Sequence, residues 1–300
     1  MSSETADVTP ALLRHAAALA EEVSASAVFL YSDALPDRDW QPPGKLRERL
    51  VLACRTAEEE ADLEELGYSR VVRVPPVGLT RMGQVKVAVL IALSREFLQP
   101  GDTIVCLAGS PPGTVDLILV TEVSSELEAF AAPSGGEARA PSVLPEVLSR
   151  VVEIAVELGS EGREGKPVGT LFVVGDLEKV KPLTRQMILN PFFGYPEGQR
   201  NVLDERLGET LKELATVDGA FLIRGDGVIE SAGTYLKTSA LPEKSLPSGL
   251  GARHQAAAGI SYVTDCLAVA VSQSTGGVSV FRNGKIVTEL EQPRVVTVAK

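Results

Sequence analysis

The chain has few cysteines, few aromatic residues and no excess of positive charge. Among its 300 residues are three cysteines, one tryptophan and two histidines, and aromatic residues make up 5%. Cys54, Cys106 and Cys266 are far apart and none belongs to a CxxC pair, which argues against a disulfide framework or a thiolate metal site. Cys106 and Cys266 lie in apolar, strand-like runs, so we predict that their thiols are buried.

The charge balance and the hydropathy pattern narrow the possible functions. A formal net charge of -11 argues against a broad surface for nucleic acid or anionic membrane, so any phosphate-binding site must be local. No stretch approaches the roughly 18 apolar residues of a spanning helix. The N-terminus also lacks a basic segment followed by an apolar run. We therefore predict a cytoplasmic protein with no membrane partner.

Length and composition predict two domains. The chain is longer than a usual single domain, and 44% hydrophobic residues are enough for ordinary globular cores. Residues 131–142 are small and rich in proline and glycine, which is typical of a linker. We predict a first domain over 1–128, a linker over 129–143 and a second domain over 144–300.

Helical and strand patterns alternate in the first domain. Helices are predicted at 10–23, 58–66 and 80–98, and strands at 27–31, 50–53, 70–74, 103–108 and 116–123. Such alternation indicates an open α/β sheet with a largely parallel core.

The second domain reads as an α+β unit with a mixed central sheet flanked by helices. Helices are predicted at 144–158, 203–215 and 253–260, and strands at 170–174, 267–272 and 278–281. A hairpin joins 219–224 to 227–230, a tight turn at 282–285 leads into 286–287, and an irregular apolar segment at 185–194 packs on the sheet.

A cationic pair marks a predicted helix start. Gly249 to Gly251 form a glycine-bearing turn that leads through Ala252 into Arg253 and His254. Helix N-termini favour anions, and a cation there opposes the helix dipole unless an anion lies nearby. We therefore favour phosphate binding over the alternative, in which the pair is surface charge with His254 packed on the sheet.

Other polar positions have a functional and a structural interpretation. Asp218 before Gly219 is suited to a divalent cation or a hydroxyl proton, although a turn-capping aspartate is the simpler reading. Ser272 follows a buried strand and is either a ligand contact or part of a turn. Tyr235 and Leu236 form either an apolar wall for a base or part of the core.

Taken together, these segments resemble the diadenylate cyclase domain that is shared with the DNA-integrity scanning protein. The resemblance rests on Asp218-Gly219-Ala220, on residues 251–254, and on Val271-Ser272 followed by 275–277, and it covers roughly residues 144–290. The N-terminal third is similar to the C-terminal domain of pyruvate kinase. The fold implied is thus a pyruvate-kinase-C-terminal-like α/β domain followed by an α+β cyclase domain.

The resemblance implies a reaction and a set of site residues. Two ATP molecules would condense into cyclic di-AMP and two pyrophosphates, with Mn²⁺ or Mg²⁺ as the divalent metal. Asp218, Arg253 and His254 would be catalytic, and Asp218 would also bind the metal. The nucleotide would contact Gly219, Ala220, Leu236, Gly251, Ala252, Gln255, Ala256 and Ser272. Because each ATP must meet the other's hydroxyl, a homodimer would be required, and the N-terminal domain would provide any higher homo-oligomer.

Several positions depart from the family pattern. Gln255 stands where a third basic residue is usual, Ala252 where threonine is common, and Gln273-Ser274 where an acidic pair is expected. These changes predict weaker phosphate binding or altered metal use. They also leave open a sensor of ATP or cyclic di-AMP that does not catalyse, and a scaffold that uses the fold only for a partner interface.

Overall fold

The computed structural model describes residues 8–37, 40, 42, 45–110, 112–123, 143–237 and 251–291. The chain divides into two compact units, Met1–Ala131 and Ala132–Lys300. The linker predicted at 129–143 lies outside the described residues, except for position 143.

The N-terminal unit is an open α/β sheet, as predicted. Its helices are α1 (Thr9–Glu22), α2 (Leu46–Arg49), α3 (Ala57–Glu65) and α4 (Arg81–Ser94), and its strands are β1 (Ala27–Tyr31), β2 (Leu50–Cys54), β3 (Val71–Arg73), β4 (Thr103–Ala108) and β5 (Leu117–Glu122). The strand order is β3-β2-β1-β4-β5, and all pairs are parallel except β4 with β5. Every residue of β1 and β2 is buried, as expected of parallel strands covered on both faces.

The C-terminal unit is built on a mixed sheet. Its helices are α5 (Pro145–Glu161), α6 (Leu177–Val180), α7 (Gly208–Leu214) and α8 (Ala252–Val263), and its strands are β6 (Leu171–Val174), β7 (Thr184–Gln186), β8 (Ala220–Ile223), β9 (Ile229–Leu236), β10 (Leu267–Val271), β11 (Val278–Arg282) and β12 (Lys285–Leu290). The strand order is β12-β11-β10-β6-β8-β9-β7, with β6 parallel to β8 and the other pairs antiparallel. The mixed sheet and the flanking helices confirm the prediction for this half.

Helix α8 owes its position to small residues. Ala257, Ala258 and Ile260 are fully buried and share one core cluster with Ala268 and Ala270 of β10. Because alanines face alanines, the helix axis lies close to the sheet, and the residues at its first turn come close to the strand ends.

Two predicted hairpin turns are confirmed. Strands β8 and β9 pair in antiparallel fashion around the Gly-Asp-Gly sequence. Arg282 pairs with Lys285 across a turn in which Asn283 and Gly284 have φ values of 51° and 76°. Positive φ at both central residues is the type I′ pattern that the Asn-Gly sequence favours. The three cysteines are buried, as predicted for two of them.

The segment predicted at 185–194 to pack on the sheet does so only in part. Residues 184–186 form the edge strand β7, which pairs with β9, and the segment then runs outward. Leu189 is 95% exposed and Phe193 is 85% exposed, whereas Phe192 is buried. Polar groups hold the segment instead: Asn190 Nδ2 donates to the Glu230 carbonyl across 2.8 Å.

The helix predicted at 203–215 is shorter than expected. Residues Glu205–Leu207 form a 3₁₀ turn, and α7 begins only at Gly208. The Asp204 carboxylate accepts a hydrogen bond from the Arg206 N–H and so fixes the tighter turn. Within the described ranges, no helix is long and apolar enough to cross a membrane.

Candidate functional site

The sheet topology brings the predicted site residues to one edge. Strands β6 and β8 run parallel and begin there, while β10 runs antiparallel to β6 and ends there. Asp218 therefore lies just before β8, Ser272 just after β10, and the first turn of α8 close to both. The sequence grouped these residues only by resemblance. The strand order explains physically why they lie close together.

Arg253 connects the loops at this edge. Its Nη2 donates to Asp218 Oδ1 across 3.1 Å, and its Nη1 donates to Gln273 Oε1 across 3.4 Å. The Arg253 side chain is 34% exposed and that of Asp218 is 81% exposed. The planar guanidinium fork suits two acceptors that lie side by side. A carboxylate, a guanidinium and an amide thus converge on one accessible spot.

Gly169 makes room for this arrangement. A Cβ atom at position 169 would lie 3.0 Å from Arg253 Nη1 and 2.8 Å from Gln273 Cβ. Sequence reasoning did not identify Gly169, and it treated Gln273 only as a departure from the family pattern. The available signal was a glycine directly before the predicted strand at 170–174.

Gly219 and Gly233 allow an unusually close approach of backbones beneath Asp218. Gly219 has φ +116°, and a Cβ there would lie 2.6 Å from Gly233 C and Thr234 N. Gly233, at φ +64° beside an irregularity in the β8–β9 pairing, would in turn clash with Ile188 Cγ1. A glycine at 219 is therefore required by the packing of β8 on β9, and the contact of Gly219 with the nucleotide stays a prediction.

The start of α8 matches the predicted helix start. Gly251 is the extended N-cap residue, it makes no side-chain capping bond, and its carbonyl accepts from Gln255 N across 3.1 Å. Ala252 and Gln255 are exposed, and Ala256 is partly buried. The predicted turn residues Gly249 and Leu250 lie outside the described residues. The first turn of α8 contains no acidic residue, which favours an anion.

His254 points away from this exposed turn. It is 7% exposed, and its ring meets the ring of Phe281 edge-on at a centroid distance of 5.9 Å. Burial lowers the pKa of His254, against a smaller opposing effect of Glu289. The imidazole is therefore neutral near pH 7, and the cationic phosphate contact predicted for it has no support in this geometry. Its catalytic role stays a prediction.

Leu236 and Ser272 both have structural roles here. Leu236 is part of the core, and Ser272 is part of a turn. Leu236 is 7% exposed and belongs to the α8-side core cluster, while the neighbouring Tyr235 is exposed and lies under the Arg185 guanidinium. The Ser272 hydroxyl accepts from Thr275 N across 3.3 Å and shares a hydrogen bond with Ser274 Oγ. Ser272 thus orders the loop that carries Gln273. Ligand contacts at both positions stay predictions.

The acidic residues near the site can provide only part of a metal site. In the described parts of the chain, no group of three or more histidine, cysteine, aspartate or glutamate side chains could hold a metal ion. Magnesium is commonly held by one or two carboxylates together with substrate phosphates and water. Asp218 fits that arrangement, in which a cation is shared between one carboxylate and a bound nucleotide.

Comparison with known proteins places the C-terminal unit in a nucleotide-binding class. Residues 157–286 match the family described as "DisA bacterial checkpoint controller nucleotide-binding", and residues 9–130 match "Probable sensor domain DacZ_P". The second match names a sensor domain and does not name pyruvate kinase, so that part of the resemblance stays a prediction.

Individual relatives agree with the family match. The chain is 40% identical over 202 residues to a "Diadenylate cyclase" of Methanocaldococcus jannaschii, covering 67% of this chain and 63% of the relative. It is 36% identical over 200 residues to a "Diadenylate cyclase" of Haloferax volcanii, covering 67% and 72%. Over 75 residues it is 45% identical to "Cyclic di-AMP synthase CdaA" of Bacillus subtilis, covering 25% and 26%. The chain belongs to the diadenylate cyclase family.

Proposed function

We propose that this chain condenses two ATP molecules into cyclic di-AMP with release of two pyrophosphates. The observation that carries the proposal is the contact of 3.1 Å between Arg253 and Asp218. It sets a phosphate-binding cation and a carboxylate side by side at the start of an anion-favouring helix. Family membership supports the same reaction.

The residues at this edge suit nucleotidyl transfer. The Arg253 guanidinium holds phosphate oxygens, and the Asp218 carboxylate beside it is 81% exposed and accessible to a nucleotide. The ribose 3′-oxygen of one ATP bonds to the α-phosphorus of the other, the bond to pyrophosphate breaks, and the hydroxyl proton passes to the Asp218 carboxylate or to water. A divalent cation held by Asp218 and the phosphates, Mg²⁺ or Mn²⁺, would neutralise charge on the leaving pyrophosphate.

The symmetry of the product sets the assembly that we propose. Each half of cyclic di-AMP comes from one ATP, and each ATP provides both a hydroxyl and an α-phosphate. Two sites must therefore face each other across a twofold axis, which makes a homodimer part of the mechanism. We further propose that residues 1–128 form a sensing or assembly domain with a pyruvate-kinase-C-terminal-like fold. In this proposal, residues 129–143 link it to the cyclase domain of a cytoplasmic protein.

A sensor of ATP or cyclic di-AMP is the second candidate. Two neutral side chains favour it. Gln255 on α8 stands where a third basic residue is usual, which leaves Arg253 as the main cation for phosphate at this edge, and Gln273 beside Arg253 stands where an acidic residue that could help to hold a metal is expected. Neutral hydrogen bonds are roughly half as strong as charge-assisted ones. A site with fewer charged groups would still bind phosphates but would stabilise the charge that develops on the leaving pyrophosphate less well.

One assay separates the two functions. Purified protein is incubated with ATP and either Mg²⁺ or Mn²⁺, and cyclic di-AMP is measured by mass spectrometry, with ATP binding measured in parallel by calorimetry. Product with either metal supports the cyclase. ATP binding without product under both conditions supports the sensor instead.

A further inference from the structure

A cleft of about 270 Å³ lies in the N-terminal unit, between residues 32–37 and helix α3. Residues 32–37 follow β1, α3 follows β2, and β1 and β2 are parallel neighbours. The cleft is thus at the carboxyl edge of the sheet, where open α/β sheets bind their ligands. The neighbouring crevice between the ends of β1 and β4 measures only about 10 Å³, enough for one water molecule. We call the larger space the α3 cleft.

Leucine side chains give the α3 cleft an apolar floor. Leu63 is buried in the core of the N-terminal unit, Leu35 packs against the same core, and Leu66, the residue that ends α3, is exposed. Pockets for small molecules are mostly apolar, with a few polar groups that fix the ligand's orientation, and begin at about 300 Å³. The size and the floor of the α3 cleft therefore suit the hydrocarbon part of a small molecule.

Carboxylates line the rim of the same cleft. Asp33 and Asp37 come from the segment after β1, and Glu59 and Asp62 come from α3. The described residues that line the cleft include no lysine, arginine or histidine. A recess lined by one sign of charge focuses the electric field and attracts counter-ions. The charge of the α3 cleft therefore favours a cation.

Arg55, which does not line the cleft, neutralises one of these carboxylates and orients another. Its guanidinium forms an ion pair with Asp33 and lies over the Tyr31 ring, 5.2 Å from the centroid. Its backbone N–H donates to Glu59 Oε2 across 2.8 Å, and Glu59 N donates to Thr56 Oγ1 across 3.1 Å, which completes a capping box. Within the described residues, the Glu59 carboxylate is thus held by a backbone amide and not by an ion pair.

The carboxylates are spread around the α3 cleft and do not converge on one point. Over the described ranges, no group of three or more histidine, cysteine, aspartate or glutamate side chains could hold a metal ion. A metal ion needs oxygen ligands that meet at about 2.0–2.6 Å from its centre. An elongated organic cation instead needs charged groups some distance apart with an apolar surface between them. Separate carboxylates around a leucine floor match such a molecule.

We propose that the α3 cleft binds a small aliphatic amine, with its ammonium groups at the carboxylates and its hydrocarbon chain on the leucines. An ammonium offers three N–H donors and makes charge-assisted hydrogen bonds to carboxylate oxygens. Asp37 and Glu59 supply the negative charge, and Leu66 contacts the chain. This inference rests on the proposed function, in which residues 1–128 form a sensing or assembly domain, and it assigns a ligand class to the sensing role.

Matched probes test the inference on the full-length wild-type chain. Calorimetry measures the binding of 1,4-diaminobutane and of 1,4-butanediol, which has the same length without charge, at equal ionic strength. We expect saturable binding of one diamine per chain, no binding of the diol, and no displacement by Mg²⁺ beyond that caused by sodium chloride of equal ionic strength. A diamine that does not saturate by about 10 mM would overturn the inference. Equal binding of the diol, or displacement by Mg²⁺, would overturn it as well.

Substitutions locate the binding at the α3 cleft. Glu59→Gln removes a charge, and a glutamine can keep the capping box. Asp37→Asn removes a charge at an exposed position. Each should weaken diamine binding about fivefold, which is the upper range for a partly exposed ion pair. Leu66→Gln should also weaken it, because the chain loses its apolar contact.

Glu65→Gln is the matched control, since Glu65 is exposed on α3 and does not line the cleft. It should bind the diamine as wild type does, and urea denaturation should show the same midpoint for every variant. Wild-type affinity in both Glu59→Gln and Asp37→Asn would overturn the inference. An equal loss in Glu65→Gln would also overturn it and would assign the binding to the general charge of α3.

The outcome is separable from that of the cyclase assay, because calorimetry of the diamine does not depend on turnover. Diamine binding by a chain that makes no cyclic di-AMP would keep this inference and reject the proposed reaction. Cyclic di-AMP synthesis by a chain that does not bind the diamine would reject this inference and leave the proposed reaction intact.

Discussion

Arg253 Nη2 lies 3.1 Å from Asp218 Oδ1 and joins two residues 35 positions apart in the sequence. An ion pair this exposed contributes at most about 1 kcal/mol to stability. Its importance is therefore chemical. Arg253 is the cation proposed to bind the triphosphate, and Asp218 is the carboxylate proposed to accept the hydroxyl proton. Without nucleotide, the two groups neutralise each other. A bound ATP with its cation would give each group its own counter-charge.

Replacing Asp218 with asparagine should stop turnover without harming the fold. The variant keeps the size of the side chain but removes the proton acceptor and metal ligand, so we expect kcat to fall about 100-fold or more. ATP affinity should hold or increase because Arg253 loses its partner. Asp265→Asn, at the other end of α8 with its side chain 66% exposed, serves as the control and should keep full activity. Wild-type rates from Asp218→Asn would remove Asp218 from the mechanism.

Arg253 should be needed as an arginine and not simply as a cation. Hydrogen bonds to charged groups contribute about 1.5–3 kcal/mol, so Arg253→Ala should raise the Kd for ATP roughly 10- to 100-fold. Arg253→Lys should recover only part of this loss, because an ammonium is a point charge and lacks the planar fork that can bind two phosphate oxygens at once. Calorimetric titration provides the measurement, and Arg206→Ala, at a side chain 87% exposed, is the control. Full recovery in Arg253→Lys would show that charge alone, and not the guanidinium fork, is what binds the phosphates.

Adding a cation at position 255 should tighten phosphate binding. Gln255 is exposed on the first turn of α8, and Gln255→Arg replaces a neutral donor by a charged one. We expect the KM for ATP to fall about fivefold, since charge-assisted bonds are about twice as strong. Gln255→Met has similar length without charge or donors and should not tighten binding. If the methionine variant binds ATP as tightly as the arginine variant, charge is not the cause.

Much of the fold was predictable because the buried strands carry strong local signals. Strands β1 and β4 have the predicted bounds, since unbroken apolar runs end at polar or glycine residues. The segment at 185–194 was predicted only in part, because Phe192 is buried but Leu189 and Phe193 are exposed. Apolar content predicts burial, but it does not show which side chains of an irregular segment face the sheet and which face solvent.

The site was less predictable than the fold. Asp218 and Arg253 were identified from sequence, but their contact depends on β8 and β10 meeting at one edge, which is a tertiary property. Gln273 and Gly169 contact Arg253 only because the same sheet edge brings them together, so the sequence did not reveal their role. For His254 the sequence suggested a contact that the structure does not support. Adjacent helical residues point about 100° apart, so Arg253 faces the site while His254 faces the core.

Gly219 should be intolerant of any side chain. Alanine at φ +116° is strained, and its Cβ would lie 2.6 Å from the backbone of Gly233 and Thr234. We expect Gly219→Ala to lower the free energy of unfolding by about 1–3 kcal/mol, measured by urea denaturation, and to displace Asp218 enough to lower activity. Gly198→Ala, where no atom lies within 4 Å, is the matched control. Equal stability of the two variants would contradict the close approach.

His254 should make the fold less stable as the pH falls below about 6.5. Its pKa in the folded chain is lowered mainly by burial, whereas in the unfolded chain it returns to about 6.5. Between those two values the unfolded state binds more protons, so the free energy of unfolding decreases as the pH is lowered. Each unit of pKa difference is worth about 1.4 kcal/mol. The effect should appear in urea denaturation at pH 7.5 and pH 5.5, above the range in which carboxylates such as Asp226 protonate.

The matched variants separate this effect from a role in binding. His254→Gln should be less stable than wild type at pH 7.5 but should lose less of its remaining stability at pH 5.5. His15→Gln, at an exposed position on α1, should keep the wild-type pH dependence. ATP affinity measured at both pH values should change alike in wild type and His254→Gln, because a buried neutral imidazole carries no charge to a phosphate. An ATP affinity that strengthens on acidification in wild type alone would instead show that His254 reaches the nucleotide as a cation, with α8 turned from the orientation described here.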